Sequence, residues 1–473
     1  MFINRKNENT YDFVIIGNGI LGLFSSIKLK CEYPSKSVLL IGPKNQYLSA
    51  SKAAGAMLNV YGEIGKWNKV VHKHEIKCLE LGIRGSELWN KFFIENGIAN
   101  VVRANNTYVY LKKYPSTFEE ENFNQMSEIA KSDKVLEEIN EKKFKNKFHL
   151  KEKKFEAIIK LKNERSICTD LLFQNLFKIA KKKKIEILNE RVESIISEQM
   201  MISLENHSKI YSRKIIVSAG SMTAKLFERD TILPMFQGVG TAVSIKSNNS
   251  LNRFKNNVIR TVNRGGAQCG LHIVPRSNNE FYLGAGNYIT LPGPADHRIE
   301  TVRYLFNSIE KDLIDQALAY QLTGRFLIGC RPKSIDSFPM IGSLANNSNI
   351  FIATGTNRSG LTWSPAIAEQ IICWAKNKPI SDLFDGWNPD RDPISYGTKD
   401  EAIDYFVNSR LSAALEHHLI PGKNSKIIEK NDELFLKANQ LLRTINQKYV
   451  NDNTIFHPDH WSILAKDDSG FSN

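Results

Sequence analysis

The sequence contains no run of about 18 consecutive apolar residues, the length that a membrane-spanning helix needs. Its first dozen residues, MFINRKNENTYD, are polar where a secretory signal would carry its apolar core. Internal repeats are also lacking, and the 473 residues therefore suggest roughly two to three domains. We expect a cytoplasmic protein without a transmembrane segment.

Cysteine pairs of the CxxC type are absent too. The six cysteines are widely scattered, at Cys31, Cys78, Cys168, Cys269, Cys330 and Cys373. This spacing argues against a zinc site and against a disulfide framework, and it predicts mostly buried thiols. His457, Asp459 and His460 lie together but have no further spaced ligands. We predict no bound metal.

Basic residues outnumber acidic ones, yet they lack the pattern of a nucleic-acid-binding surface. The net charge is +14, and many lysines fall in residues 142–160 and 181–184. Neither segment has interleaved aromatic residues or a recognisable binding module. We interpret these lysines as a solvated basic face and predict no nucleic-acid partner.

The stretch from Tyr11 to Lys30 is where a specific chemistry first becomes visible. Residues 13–16 are apolar, as in a buried parallel strand, and an amphipathic segment follows from Leu23. Three glycines lie between them, Gly17, Gly19 and Gly22. Such glycines permit a tight turn, a close approach to a pyrophosphate and close helix packing. We predict that the phosphates of a nucleotide rest on the first amides of the helix, at Ile20 and Leu21.

The position that usually holds the ribose has no acidic residue. Residues 37–41 read as the second parallel strand, and Gly42, Pro43, Lys44 and Asn45 follow in place of the expected Asp or Glu. Asn45 could bond the ribose hydroxyls, whereas Lys44 could favour a 2′-phosphate. At this point NADP remains open beside other dinucleotides.

The segment SASKAAGAMLN, residues 49–59, consists of small residues against which a ligand can lie flat. Together with GNGILG it resembles the flavin-binding start of the D-amino-acid oxidase superfamily, and particularly the glycine oxidase branch. The resemblance recurs to about residue 391 and implies FAD rather than NADP. It assigns cofactor contacts in this segment to Ser51, Ala53, Ala54, Gly55 and Met57.

Three later segments extend the resemblance. It implies a backbone contact to adenine near Val192, and the strand end in KIIVSAGSMT supplies Ala219 and Gly220 as small residues beside the dinucleotide. A second flavin contact is implied at Gly355, Arg358, Ser359, Gly360, Leu361 and Thr362. A helix starting near Thr362 would aim its positive end at the flavin pyrimidine ring.

The resemblance also implies a substrate site. The segment GCRPKSIDSFPMIG is similar to the family's G-x-R-P motif, in which an arginine grips the substrate carboxylate, and this places that role on Arg331. The alternative is an arginine in a surface ion pair. The hairpin LHIVPRSNNEFYLGAG resembles the family's Y-I-V-P-R hairpin, with His272 at the tyrosine position as a substrate contact or a structural histidine. Arg358 is given an assisting role.

Cys330 has two interpretations. The monomeric sarcosine oxidases of the same superfamily attach flavin covalently through a cysteine near this position, and a small buried thiol is the alternative.

These features predict an α/β protein with a Rossmann-like FAD-binding domain, a mixed-sheet α+β substrate domain and a helical C-terminal extension. The FAD-binding domain is assigned to residues 10–105, 161–235 and 321–391, and the substrate domain to residues 106–160 and 236–320. Residues 392–473 form the extension, with helices over 401–419 and 431–449 that pack on the core or on a partner. A homo-oligomer is possible.

The predicted function is an FAD-dependent oxidation of the C–N bond of an amino acid or related amine that carries a carboxylate. A hydride passes to flavin, and oxygen or another electron acceptor then reoxidises it. One alternative is an FAD-dependent hydroxy-acid or amine dehydrogenase that uses an acceptor other than oxygen. The other is a non-catalytic flavin-binding or assembly protein. The identity of the substrate remains open.

Overall fold

Two β-sheets organise the chain. The computed structural model describes residues 10–150, 154–227, 232–246, 251–264, 269–277, 279–312, 323–416, 424–448 and 454–466. Within them the main helices are Ile20–Glu32, His72–Glu95, Thr117–Ser132, Glu141–Phe148, Thr169–Lys182, Ile299–Asp312, Gly360–Ala375, Lys399–Glu416 and Asn424–Lys448. Each of these helices is either too short or too polar to cross a membrane.

The first sheet is built around the strand that precedes the glycine turn. Its order is Met340–Ser343, Ile350–Thr354, Lys209–Val217, Thr10–Ile16, Val38–Ile41 and Glu186–Leu188, and Met201–Leu204 and Val192–Ile196 extend it from Lys209–Val217. Thr10–Ile16 is parallel to both of its neighbours. Successive residues of this strand enter opposite cores, Phe13 and Ile15 on one face and Val14 and Ile16 on the other.

The second sheet is mixed. Its order is Leu48–Ser49, Thr323–Ser334, Met235–Lys246, Glu280–Thr290, His272–Ser277, Asn256–Thr261, Val102–Lys112, Phe155–Ile167 and Met57–Leu58, with Leu136–Glu138 paired to Phe155–Ile167. The predicted mixed α/β fold is confirmed. Thr323–Ser334 pairs along its whole length with Met235–Lys246, although the sequence-based division grouped it with the FAD-binding segments.

The C-terminal extension covers one face of the first sheet. Phe406 from Lys399–Glu416, Leu434 from Asn424–Lys448 and Trp461 are buried in the same core as Val14 and Ile352 of the sheet. Both predicted helices are present, although residues 417–423 and 449–453 lie outside the described part of the chain. The sequence left open whether the extension packs on the core or on a partner. In the structure it packs on the core of its own chain.

An ion pair also fixes the extension to the second sheet. Lys333 Nζ of Thr323–Ser334 lies 3.0 Å from Asp459 Oδ2, and both side chains are almost fully buried. His460 packs beside this pair, with Nδ1 2.8 Å from the Ile335 carbonyl oxygen. Asp459 and His460 are therefore used in packing, and the described residues contain no cluster of three or more His, Cys, Asp or Glu side chains that could hold a metal.

The cysteines are all free thiols. Cys168, Cys269 and Cys330 are buried, Cys78 and Cys373 are partly buried and Cys31 is exposed. The sequence predicted mostly buried thiols, and three of the six are buried in the structure.

We expect the substitution Trp461→Ala to destabilise the protein by about 3–5 kcal/mol, because it removes a large buried side chain from the contact between extension and sheet. Guanidinium denaturation would measure this. Leu436→Ala, at a residue that is 64% exposed on the neighbouring helix, serves as control and should change stability by less than about 0.5 kcal/mol. Equal effects of the two substitutions would show that the extension does not pack as described.

Candidate active site

A cavity of about 720 Å³ is lined by residues of both sheets. The glycine turn after Thr10–Ile16 forms one part of its wall, and the loop before Gly360–Ala375 forms another. Arg331 and Tyr282 line it from the second sheet. The cavity therefore joins the predicted cofactor segments to the predicted substrate segments.

The geometry of the glycine turn follows from its three glycines. Gly17 has a φ of +106°, and a Cβ at Gly22 would lie 1.8 Å from the Gly17 carbonyl oxygen, so the helix can pack here only without a side chain. A Cβ at Gly19 would meet only Ser51 Oγ, at 3.5 Å. Gly19 thus faces open space in the cavity, whereas Gly22 serves helix packing and is not in the cavity wall.

The second glycine loop brings a helix N-terminus to the cavity. Thr354 Oγ1 donates a hydrogen bond to the Gly220 carbonyl oxygen at 2.9 Å, which joins the loop to the end of the neighbouring strand. The helix begins at Gly360, two residues before the predicted start. Gly355 has a φ of +73° and shapes the loop from outside the main cavity.

Most predicted cofactor residues line the cavity. They are Gly17, Gly19, Ile20, Leu21, Ser51, Ala53, Ala54, Gly55, Met57, Val192, Ala219, Gly220, Arg358, Ser359, Gly360, Leu361 and Thr362. Lys44 and Asn45 do not line it, because both are exposed and Asn45 Oδ1 accepts a hydrogen bond from the Tyr47 amide at 3.2 Å. Gln46, which the sequence did not single out, turns inward instead and donates to the Asn18 carbonyl oxygen at 3.0 Å.

These residues fit an FAD molecule. The open space at Gly19 and the small side chains of Ala53 and Ala219 leave room for a dinucleotide against the backbone. The Oε1 atom of Gln46 is buried without a hydrogen-bond partner at the cavity wall, and a ligand hydroxyl would satisfy it. A helix N-terminus provides amides for the negative charge of such a ligand.

Arg331 lies in the cavity wall, and its guanidinium is not engaged in an ion pair among the described residues. Its Nη1 donates to Asn287 Oδ1 at 2.7 Å, and a Cβ at Gly240 would lie 2.5 Å from its Nη2. Gly240 therefore makes room for the guanidinium on the adjacent strand. Within the part of the chain that the structure describes, no carboxylate pairs with Arg331. The alternative of a surface ion pair therefore has no partner among these residues, and the guanidinium is available to bind an anionic group.

His272 is buried in the same wall. Its Nδ1 lies 2.9 Å from the Gly270 carbonyl oxygen, and its ring stacks on Tyr282 with centroids 5.4 Å apart. Burial, assisted by the charge of Arg260, lowers the pKa of His272 to about 3. The imidazole is therefore neutral at physiological pH, and because Nδ1 carries the proton that the carbonyl accepts, Nε2 is a hydrogen-bond acceptor.

Arg358 differs from Arg331 because it has a carboxylate partner. Its Nε lies 3.2 Å from Glu63 Oε2, and Arg260 Nη1 lies 2.9 Å from Glu63 Oε1. Burial raises the pKa of Glu63, but the charges of Arg358 and Arg260 outweigh it and lower the pKa to about 2. Glu63 and Arg260 were missed in the sequence because neither belongs to a recognisable motif.

Cys330 is also in the cavity wall. Burial raises the pKa of its thiol to about 11, so the sulfur is protonated at neutral pH. Of the two interpretations, we favour the small buried thiol, and covalent attachment of flavin to this residue stays the alternative.

Comparisons with known proteins agree with this geometry. A family described as "FAD dependent oxidoreductase" matches residues 12–374. No curated protein matches the sequence.

Solved structures share the fold at low sequence identity. Glycine oxidase from Geobacillus kaustophilus has a TM-score of 0.68 at 15% identity, covering 81% of this chain and 99% of that one. L-proline dehydrogenase from P. horikoshii has a TM-score of 0.64 at 17% identity and covers 81% of this chain and 98% of its own. FAD-bound L-alpha-glycerophosphate oxidase from Mycoplasma pneumoniae has a TM-score of 0.63 at 16% identity, with the same coverage of 81% and 98%.

The two glycine substitutions Gly19→Ala and Gly22→Ala should separate ligand binding from packing. In the apoprotein, Gly22→Ala should reduce the free energy of unfolding by about 1–3 kcal/mol because its Cβ overlaps the Gly17 carbonyl. Gly19→Ala should leave the apoprotein stability unchanged and weaken FAD binding by roughly tenfold or more. Denaturation and flavin fluorescence titration would measure the two effects. Unimpaired FAD binding by Gly19→Ala would contradict the assignment of the turn.

We expect His272 to make stability pH-dependent. The unfolded chain binds a proton at His272 below a pKa of about 6.5 and the folded chain only below about 3, so stability is lost as the pH falls through this window. Between about pH 7.5 and about pH 5, His272→Gln should lose about 2 kcal/mol less stability than the wild type. The exposed His72→Gln variant is the control. If both variants lose as much stability as the wild type, His272 does not become protonated on unfolding.

Proposed function

The chain belongs to the FAD dependent oxidoreductase family, and we propose that it oxidises the C–N bond of an amino acid or related amine that carries a carboxylate. The observation that carries this proposal is the position of Arg331, a cavity-lining arginine whose charge no described carboxylate balances. A guanidinium binds a carboxylate through two parallel charge-assisted hydrogen bonds, which fixes orientation as well as charge.

The cofactor would be held by the two glycine loops. The backbone of Gly17–Leu21 would bind the pyrophosphate, and the N-terminus of Gly360–Ala375 would stabilise negative charge on the flavin. When bound, FAD supplies the acceptor for the hydride that leaves the carbon bearing the nitrogen.

The protein's own side chains act mainly by orientation. Arg331 holds the carboxylate, and Asn287 keeps the guanidinium in place through the hydrogen bond to Nη1. His272 offers Nε2 as an acceptor for an N–H group of the substrate. Glu63 is not available as a base, because Arg358 and Arg260 hold it ionised with a pKa of about 2. The reaction needs no strong base when the substrate amine binds in its neutral form.

A hydroxy acid is the second candidate substrate class. It would present the same carboxylate to Arg331. One protein with this fold is an L-alpha-glycerophosphate oxidase, and glycerophosphate is likewise an alcohol with an anionic group, although that group is a phosphate. The family assignment makes the chain an oxidoreductase, so the non-catalytic alternative is set aside.

The identity of the electron acceptor is also open, because proteins with this fold include both an oxidase and a dehydrogenase. Stopped-flow reoxidation of the reduced flavin in air would decide between oxygen and another carrier. The location in the cytoplasm and a homo-oligomer remain predictions from the sequence.

An anaerobic screen for bleaching of the flavin absorbance tests the proposal. Amino acids and N-substituted amino acids should bleach the flavin, whereas the corresponding amines without a carboxylate should not. Bleaching by hydroxy acids alone would favour the second substrate class. If no member of these classes bleaches the flavin, the proposal is wrong.

For the substrate found in that screen, Arg331→Gln should lower kcat/KM by about a hundredfold or more, because loss of one partner of a buried charge pair costs about 2–5 kcal/mol. Arg325→Gln is the matched control, because Arg325 lies on the same strand with its side chain 65% exposed. Steady-state kinetics of both variants, with flavin content as a check on folding, would measure the difference. A similar small effect in both would remove Arg331 from the substrate site.

A further inference from the structure

A second chamber of about 190 Å³ lies next to the main cavity. Glu63, Arg358 and Ser359 are among the residues that line both, so the Glu63–Arg358 ion pair belongs to the wall between them. The volume is well above what one water molecule needs. The chamber is therefore large enough for a small polar molecule.

The C-terminal extension completes this chamber. Tyr396, Tyr405 and His457 line it, and all three lie beyond residue 374, where the match to the family ends. Their rings form one cluster, with centroid distances of 5.2 Å between the tyrosines and of 4.9 and 5.3 Å from His457 to Tyr396 and Tyr405. Burial lowers the pKa of His457 to about 4, so this ring is neutral.

Among the described residues that line the chamber, Glu75 is the acidic side chain without a cationic partner. Each cationic side chain has a carboxylate partner: Lys66 pairs with Glu121 at 2.5 Å, Lys333 with Asp459 at 3.0 Å and Arg358 with Glu63 at 3.2 Å. In the described residues, the carboxylate of Glu75 makes neither a hydrogen bond nor an ion pair. Burial raises the pKa of Glu75 to about 7. A cation in the chamber would relieve this cost.

We propose that this chamber is a second ligand site, in which the Glu75 carboxylate and the rings of Tyr396, Tyr405 and His457 bind a small ammonium ion. A carboxylate forms charge-assisted hydrogen bonds with an ammonium group, and aromatic faces attract a cation at distances within about 6 Å. The volume admits ammonium itself or an organic amine of a few carbon atoms. This site does not depend on the reaction in the main cavity.

Isothermal titration calorimetry of the holoenzyme with ammonium chloride and with methylammonium chloride tests the proposal, with sodium chloride at equal ionic strength as the blank. We expect saturable binding of at least one of them. Binding of ammonium alone identifies the inorganic ion, and binding of methylammonium identifies an organic amine. The absence of saturable binding for both would overturn the proposal.

Variants locate the binding. Glu75→Gln should weaken it by about tenfold or more, and Tyr405→Leu, which removes one ring face, by a few-fold. Glu80→Gln, at an exposed residue of the same helix, should bind as the wild type does. The flavin spectrum confirms that each variant is folded.

The Arg331→Gln variant separates this site from the substrate site, because it should bind ammonium normally even where oxidation is lost. Wild-type affinity in Glu75→Gln would overturn the proposal whatever the outcome of the substrate screen.

Discussion

The partly buried carboxylate of Glu63 determines which arginines of the cavity wall are paired. It faces two arginines, Arg260 and Arg358, and holds both in ion pairs. Arg331 is left without such a partner among the described residues, although it lines the same cavity. A cavity with three unpaired guanidinium groups would bind anions indiscriminately. Because Arg260 and Arg358 share Glu63 as their partner, Arg331 is the guanidinium left to face the cavity, which supports its proposed role in orienting a carboxylate.

The ion pair between Glu63 and Arg358 lies in the wall between the main cavity and the second chamber, which is lined in part by the C-terminal extension. The extension buries Phe406, Leu434 and Trp461 against the first sheet, and the buried pair of Lys333 and Asp459 ties it to the strand that carries Arg331. The extension is therefore part of the core of the protein. Because it reaches the strand that carries Arg331, we expect changes in its packing to alter the position of Arg331.

The sequence predicted those parts of the site that are local in the chain. The turn at Gly17–Gly22, the segment around Ser51–Met57 and the loop before Gly360 each combine a strand or loop with its own small residues, and all contribute to the site. The mixed α/β fold could be predicted for the same reason. Arg331 was recognisable because its motif is contiguous.

The remaining features of the site depend on contacts between segments that are far apart in the sequence. Arg260 and Glu63 are 197 residues apart in the chain, and no local pattern indicates that they meet. Lys44 and Asn45 were expected at the ribose, but the direction of that loop is set by the contact between Gln46 and Asn18, 28 residues away. The chamber at Glu75 combines a helix near the N-terminus with Tyr405 and His457 of the extension, a combination that only the folded chain reveals.

The central claim is that Arg331 is the anchor for a substrate carboxylate. The most direct measurement is a titration of the flavin absorbance spectrum with a small carboxylate that carries no amine or hydroxyl and cannot be oxidised, such as acetate. The wild-type holoenzyme should show a saturable spectral change, and the Arg331→Gln variant should show none at the same concentrations. An equal spectral change in both proteins would contradict the account, because the carboxylate would then bind without Arg331.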